Sequence, residues 1–298
     1  MTSPDILCIG SVLWDIIGRT DTSLRARGDV AGRITRIPGG VAMNIAMTLA
    51  RFGLRPAVLT ALGTDGEGDE LIAAAQSLGV ATEFALRTPD LPTDCYMAIE
   101  DATGLIAAIA DAHSLEAAGD AILLPLADGR LATPAAPWAG PIALDGNLTA
   151  ELLAEIATSP LFNAADLRIA PASPGKAERL IPVMRHPRAT LYVNRQEAGL
   201  ITGHTHASAA EAAEALVAAG AARALVTDGA HPAADAARAT PVITHAARPV
   251  QARRITGAGD TFMAAHLFAE TRGATRSEAL DRAQAAAAAY VAFEDFQP

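Results

Sequence analysis

Short apolar runs, most of them closed by glycine or a polar turn, alternate with longer helical patterns along nearly the whole chain. That alternation restricts the fold to the α/β class with a mostly parallel sheet. Ile6–Ile9 predicts a strand ending at Gly10. Ile45, Leu49 and Phe52 repeat at helical spacing, with Gly53 as a C-terminal stop. Ala57–Ala61 predicts the next strand and Glu67–Leu78 the next helix, closed by Gly79. Further strands are predicted at Ile142–Leu144, Leu167–Ile169, Thr190–Val193 and Ala224–Val226, with helices between them. Ser277–Phe293 reads as a long alanine-rich helix, and residues 127–141, rich in Pro and Gly, as an irregular connection.

Two stretches break the alternation. Residues 12–37 and 81–111 carry short strand-like pieces with turn residues and no clear helix. They predict a small β-sheet projecting from a single 298-residue domain as a lid over the strand ends.

Composition narrows the partners. Hydrophobic residues make up 51% of the chain and aromatics only 4%, so the core is built from Ala, Val, Leu and Ile. A net charge of −10 argues against nucleic acid or an anionic membrane. Lys176 is the sole lysine, which rules out a phosphate loop of the P-loop type. Cys8 and Cys95 form no metal spacing or disulfide framework, and MTSPDILCIG lacks the basic start of a signal peptide. With no apolar run of membrane-spanning length, a soluble cytoplasmic protein is expected.

In an open parallel sheet, ligands sit beyond the carboxyl ends of the strands, so chemistry belongs at the turns that follow them. The strongest such signal is Thr256-Gly257-Ala258-Gly259-Asp260-Thr261-Phe262, leading into a helix. Small residues there let the backbone approach a ligand and aim free N–H groups at an anion. Asp260, in the first helical turn, is a poor neighbour for phosphate unless it accepts a proton from an attacking hydroxyl. An ordinary glycine-rich turn with a favourable N-terminal Asp is the plainer alternative. The second signal is Pro38-Gly39-Gly40-Val41-Ala42-Met43-Asn44, in which paired glycines open a helix that presents Asn44, a donor and acceptor for sugar hydroxyls. Asp15, soon after the first strand, can accept from two vicinal hydroxyls. A plain helix start and a solvated turn would explain the same residues.

Taken together and in this order, PGGVAMNIAMTLARFG and TGAGDTF resemble the two signatures of the PfkB family of sugar and nucleoside kinases. Between them, Asn194-Arg195-Gln196-Glu197 is similar to that family's N-x-x-E motif. The resemblance spans nearly the whole chain and implies a ribokinase-like three-layer α/β/α core with a small β-sheet lid. It implies Asp260 as catalytic base, with the amides of Gly257, Ala258 and Gly259 stabilising the transferring γ-phosphoryl. It assigns Asp15, Gly39, Gly40 and Asn44 to the acceptor, and Asn194, Thr227 and Gly229 to the nucleotide. Glu197 organises Mg²⁺, usually through water, beside ATP.

Two departures stand out. Arg254-Ile255 replaces the Asp-Thr that often precedes the late motif, where the acid helps bind a monovalent cation; potassium activation is therefore in doubt. Pro232 stands where the T-x-G-x-x-G turn would place its second glycine, and the stretch HPAADAARATPVITH suggests a reshaped adenine site.

The shared motifs do not choose the acceptor. Ala143–Thr149, Ala170–Lys176 and Tyr96–Asp111 resemble segments of pseudouridine kinases, which implies phosphorylation of the pseudouridine 5′-hydroxyl. Asp111, His113, Thr93 and Asp94 are then available to a polar base, and Lys176 can approach the transferred phosphate, although a solvated helix-start lysine explains it equally. A ribose or fructose kinase is the alternative, and a non-catalytic nucleoside-binding protein a more distant one. A dinucleotide-binding oxidoreductase is disfavoured because no G-x-G-x-x-G follows the first strand. An exposed lid edge would favour a homodimer.

Overall fold

A computed structural model describes residues 3–24, 28–102, 104–251, 254–294 and 296. An eight-stranded sheet forms the core. Across it the order is Ile243–His245, His231–Ala237, Arg223–Asp228, Ala189–Asn194, Asp166–Ala170, Pro141–Asp145, Ile6–Ile9, Pro56–Leu59. The six strands from Arg223–Asp228 to Pro56–Leu59 are mutually parallel, and the first two are antiparallel additions at one edge. The α/β class and the large, mostly parallel sheet match the expectation.

Alternation along each buried strand explains the layering. Leu7, Ile9, Ile142, Leu144, Leu167 and Ile169 face one apolar layer, shared with the helices Ala150–Thr158 and Ala209–Ala218. Ile6, Cys8, Ala143, Tyr192 and Leu225 face the other. The helices Val41–Arg51, Ala258–Thr271 and Arg276–Ala292 cover that second face. Strands buried on both sides read as continuous apolar runs, which is why they stand out in the sequence.

The stretch HPAADAARATPVITH, for which no strand is predicted, forms the edge hairpin His231–Ala237 and Ile243–His245. Its alanines hid the strand. What holds it is a buried charge cluster: Asp235, fully buried, pairs with Arg223 at 2.6 Å and Arg276 at 2.9 Å.

A smaller sheet of four strands lies beside the core, in the order Arg33–Gly39, Leu13–Arg19, Cys95–Asp101, Gly104–Asp111. Its register places Tyr96, Asp15 and Ile37 side by side on one face. On the other face Ile109 is opposite Met97, and Ile99 aligns with Gly18 and Ile34. Residues 81–94 do not join this sheet. Leu86–Thr88 pairs instead with Ala61–Gly63, a strand that Thr60 separates from Pro56–Leu59. Among the described residues, no helix is long and apolar enough to cross a membrane.

Candidate active site

The parallel strands deliver their carboxyl ends to one edge of the core, and the chemistry-bearing residues collect there. Three devices build the acceptor side. Asp15 stands on the strand Leu13–Arg19, and Gly39 lies so close to its carboxylate that a Cβ would strike it. Gly40 caps the helix Val41–Arg51 with φ 91°, where a Cβ would meet the Ser11 carbonyl. The paired glycines are thus required by close packing and by a left-handed backbone. One turn later, Asn44 donates from Nδ2 to Oδ2 of Asp260 at 2.9 Å.

Asp260 sits in the first turn of Ala258–Thr271, and Gly257, with φ 88°, is that helix's N-cap. No side chain caps this end; the Ala258 amide donates to the Ile255 carbonyl at 3.1 Å, which leaves the amides of Gly257 and Gly259 as the candidates for an anion. Burial pushes the Asp260 carboxyl up to about 7, opposed by the Asn44 hydrogen bond and reinforced by the charges of Asp145, Asp15 and Glu197. Asp15 is pushed up to about 6, also by burial. A carboxyl titrating near neutrality beside a helix N-terminus is suited to taking a proton from a hydroxyl.

Asp145, at the end of Pro141–Asp145, is the residue whose importance the sequence did not reveal. It is fully buried and accepts from the amides of Ser11 (2.8 Å), Ala42 (3.1 Å) and Asn147 (2.7 Å). One carboxylate thereby ties the first strand's exit, the acceptor helix and the turn leading to Asn147. A Cβ at Gly10 would overlap it. The one available signal was an Asp-Gly directly after an apolar run.

Lys176 lies in the short helix Pro174–Leu180, half-buried, and donates from Nζ to Asn147 Oδ1 at 2.6 Å. Burial lowers its pKa, aided by nearby Arg179. Thr93 and Asp94 are engaged otherwise than a base-binding role supposes. Thr93 is bound to Asp65 through its amide (2.8 Å) and hydroxyl (2.6 Å). Asp94 accepts from the amides of Ser114 and Leu115 at the start of His113–Ala118. His113 is exposed and paired with Asp111 at 2.9 Å.

On the nucleotide side, Asn194 and Thr227 are register partners at the ends of adjacent strands. Asn194 and Glu197 form a capping box: the Glu197 amide donates to Asn194 Oδ1 at 2.9 Å and the Asn194 amide to Glu197 Oε2 at 2.8 Å. The helix-start role is therefore real, and it holds the Glu197 carboxylate at the strand end. Burial raises its pKa. A buried carboxylate with one oxygen committed to the backbone fits a magnesium ion held through water. Asn194, Thr227 and Gly229 line a cavity of about 780 Å³ with Arg195, His204 and His206. Gly229 adopts φ 57° after the strand Arg223–Asp228.

Arg254 sits over the Tyr290 ring, its Cζ 3.5 Å from the centroid, and donates from Nε to the Tyr290 carbonyl at 2.8 Å. Arg254 is thus a stacked residue engaged with the last helix.

A pseudouridine kinase of Escherichia coli K12 is 35% identical over 107 residues, covering 36% of this chain and 34% of the relative. The matched stretch thus spans about a third of that curated relative's length. A solved carbohydrate kinase from Agrobacterium tumefaciens superposes with a TM-score of 0.80 at 26% identity, covering 98% of this chain and 94% of the other. Arabidopsis thaliana ribokinase, solved with ribose and ATP, gives a TM-score of 0.78 at 21% identity over 97% and 93% of the two chains, a likeness of fold. Residues 3–294 match the pfkB family of carbohydrate kinases, and the chain belongs to that family.

Proposed function

We propose that this protein transfers the γ-phosphoryl of MgATP to the 5′-hydroxyl of pseudouridine, releasing pseudouridine 5′-phosphate and ADP. The observation that carries the kinase reading is the Asn44–Asp260 hydrogen bond, which joins the acceptor helix to the carboxylate at the glycine-rich start of Ala258–Thr271. Asp260 accepts the proton of the attacking hydroxyl. The amides of Gly257 and Gly259 hold the equatorial oxygens of the phosphoryl as its charge redistributes, with that of Ala258 joining them once it leaves the Ile255 carbonyl. Asp15, Gly39, Gly40 and Asn44 bind the acceptor, while Asn194, Thr227 and Gly229 bind the nucleotide. Magnesium neutralises the phosphates when bound, and Glu197 positions it through water.

Pseudouridine is favoured by the relative of that name and by the union of Asn147 with Lys176, which brings the two acceptor-like segments together. The four-stranded sheet serves as a lid, carrying Asp15 and Tyr96 over the acceptor and excluding water that would otherwise hydrolyse ATP. A free sugar such as ribose or fructose is the second reading. It is favoured by the engagement of Thr93 and Asp94 within the fold, which leaves fewer groups for a base.

The lid's outer face supports a homodimer. Ile109 is 70% exposed and Ile34 77%, and among the described residues the strand Gly104–Asp111 forms an edge of its sheet. Sedimentation of the full chain against Ile109→Lys tests it; a monomeric wild type would end that reading. The two free thiols suit a reducing, cytoplasmic setting.

The deciding experiment is ADP release from MgATP across pseudouridine, uridine, adenosine, ribose and fructose. Turnover greatest with pseudouridine supports the full proposal. Turnover on a free sugar alone keeps the chemistry and removes the nucleoside. No acceptor-dependent turnover on this panel or a wider one favours a binding protein.

A further inference from the structure

An anion hole made of backbone amides works only if its backbone stays put. At the Thr256–Gly259 turn the Ala258 amide donates to the Ile255 carbonyl at 3.1 Å, a weak restraint by itself that leaves Gly257 and Gly259 to be held from outside. Gly257 is left-handed at φ 88° and the helix start has no side-chain cap. The restraint comes from the last turn of Arg276–Ala292. Tyr290 Oη donates to the Thr256 carbonyl at 2.9 Å, and the hydroxyl fills the space a Cβ on Gly257 would need.

Tyr290 is itself held. The Arg254 guanidinium stacks 3.5 Å above its ring and 4.4 Å from that of Phe293. Arg254 also donates from Nε to the Tyr290 carbonyl at 2.8 Å and from its amide to the Val291 carbonyl at 3.3 Å. These carbonyls lie at the negative end of the helix dipole, where a cation is favoured, and that of Tyr290 also accepts from the Phe293 amide at 3.2 Å. A planar guanidinium can stack and donate at once, which an ammonium cannot reproduce.

The geometry points to Arg254 and Tyr290 as positioning residues that fix the Thr256–Gly259 amides for the γ-phosphoryl, an inference resting on the kinase reading above. Neither side chain reaches the phosphoryl in this role; each acts through the Thr256 carbonyl.

The test compares the full-length protein with Tyr290→Phe, Arg254→Met and Arg254→Lys. Calorimetry measures binding of the magnesium complexes of ADP and of a non-hydrolysable ATP analogue. All three variants are expected to weaken the analogue about tenfold, the loss of one hydrogen bond, while ADP binding holds within about twofold. Turnover number should fall while the acceptor KM stays constant, and added guanidinium should restore part of the activity of Arg254→Ala. Equal weakening of both nucleotides, or of neither, overturns the assignment, because a purely structural anchor cannot single out the γ-phosphoryl. Should Tyr290→Phe not fold, the Arg254→Lys ratio decides the matter alone. Should the wild type phosphorylate no acceptor, the proposed reaction fails, yet the affinity ratio still reports on the clamp.

Discussion

Asn44 Nδ2 donates to Asp260 Oδ2 at 2.9 Å across 216 positions of the chain, so the acceptor helix and the proposed base form one unit. Asn44 also lowers the pKa that burial raises, keeping part of the Asp260 population ionised at neutral pH. Two losses follow from removing either partner. Asp260→Asn should cut turnover by about a thousandfold or more without unfolding the protein, since the amide still reaches Asn44. Asn44→Ala should raise the acceptor KM and shift the rate profile to higher pH. Steady-state kinetics and a thermal melt check both.

The pH dependence has opposite signs for stability and rate. Asp260 and Asp15 bind protons more tightly folded than unfolded, with pKa values of about 7 and about 6. The stability they contribute is complete below the ordinary carboxyl range and is lost as pH rises through those values. The unliganded protein should therefore melt lower at about pH 8 than at about pH 5.5. Asp260→Asn should flatten that slope and add about 2 kcal/mol at the alkaline end. Turnover should instead rise through about pH 7, because the base must be ionised. A melting point independent of pH would contradict the assignment.

Behind the helix Ala258–Thr271 lies a buried ionic network. Arg168 binds Asp166, Glu270 and the Tyr192 hydroxyl, and Arg223 binds Glu270 and Asp235. Burial pushes His266 down to about 3, so it is neutral where it meets Tyr192 at 2.9 Å. Each charge has a partner, and deleting one strands another. Arg168→Met should cost about 3–5 kcal/mol by urea melt. Replacing Arg168 and Glu270 together should cost less than the single changes predict.

Gly39 has one function that geometry isolates. A methyl at that position strikes the Asp15 carboxylate. Gly39→Ala should weaken acceptor binding about tenfold or more while leaving ATP affinity unchanged, as measured by separate titrations.

Arg254 also bears on ions. Its guanidinium already donates to the carbonyl at Tyr290 and supplies a positive charge there, so exchanging potassium for sodium or choline should leave turnover unchanged. Activation by potassium would contradict that expectation.

Some of this was legible without coordinates. Ile6–Ile9 is buried on both faces and apolar at every position, and Leu167–Ile169 and Thr190–Val193 are buried and mainly apolar, with Arg168 and Thr190 as the polar exceptions; all three were visible as strands. The glycines at 39, 40 and 257 announced close approach because no other residue tolerates those backbones and contacts. The hairpin at 231–245 was not visible, since alanine suits strand and loop alike and its anchor, Asp235, depends on arginines 12 residues before it and 41 after. Asn194 and Glu197 were read as ligands, whereas local geometry adds a capping box that any N-x-x-E can form.

Amino-acid order alone determined the α/β class and pointed to the glycine-rich turns and acidic residues of the proposed site, because periodicity, glycine freedom and side-chain acidity are local properties. Only the tertiary structure decided that Asp145 knots three segments, that Arg254 stacks on Tyr290, and that Asp260 titrates near neutrality. Those properties arise from burial and from partners far away in the chain, and desolvation and charge act through space.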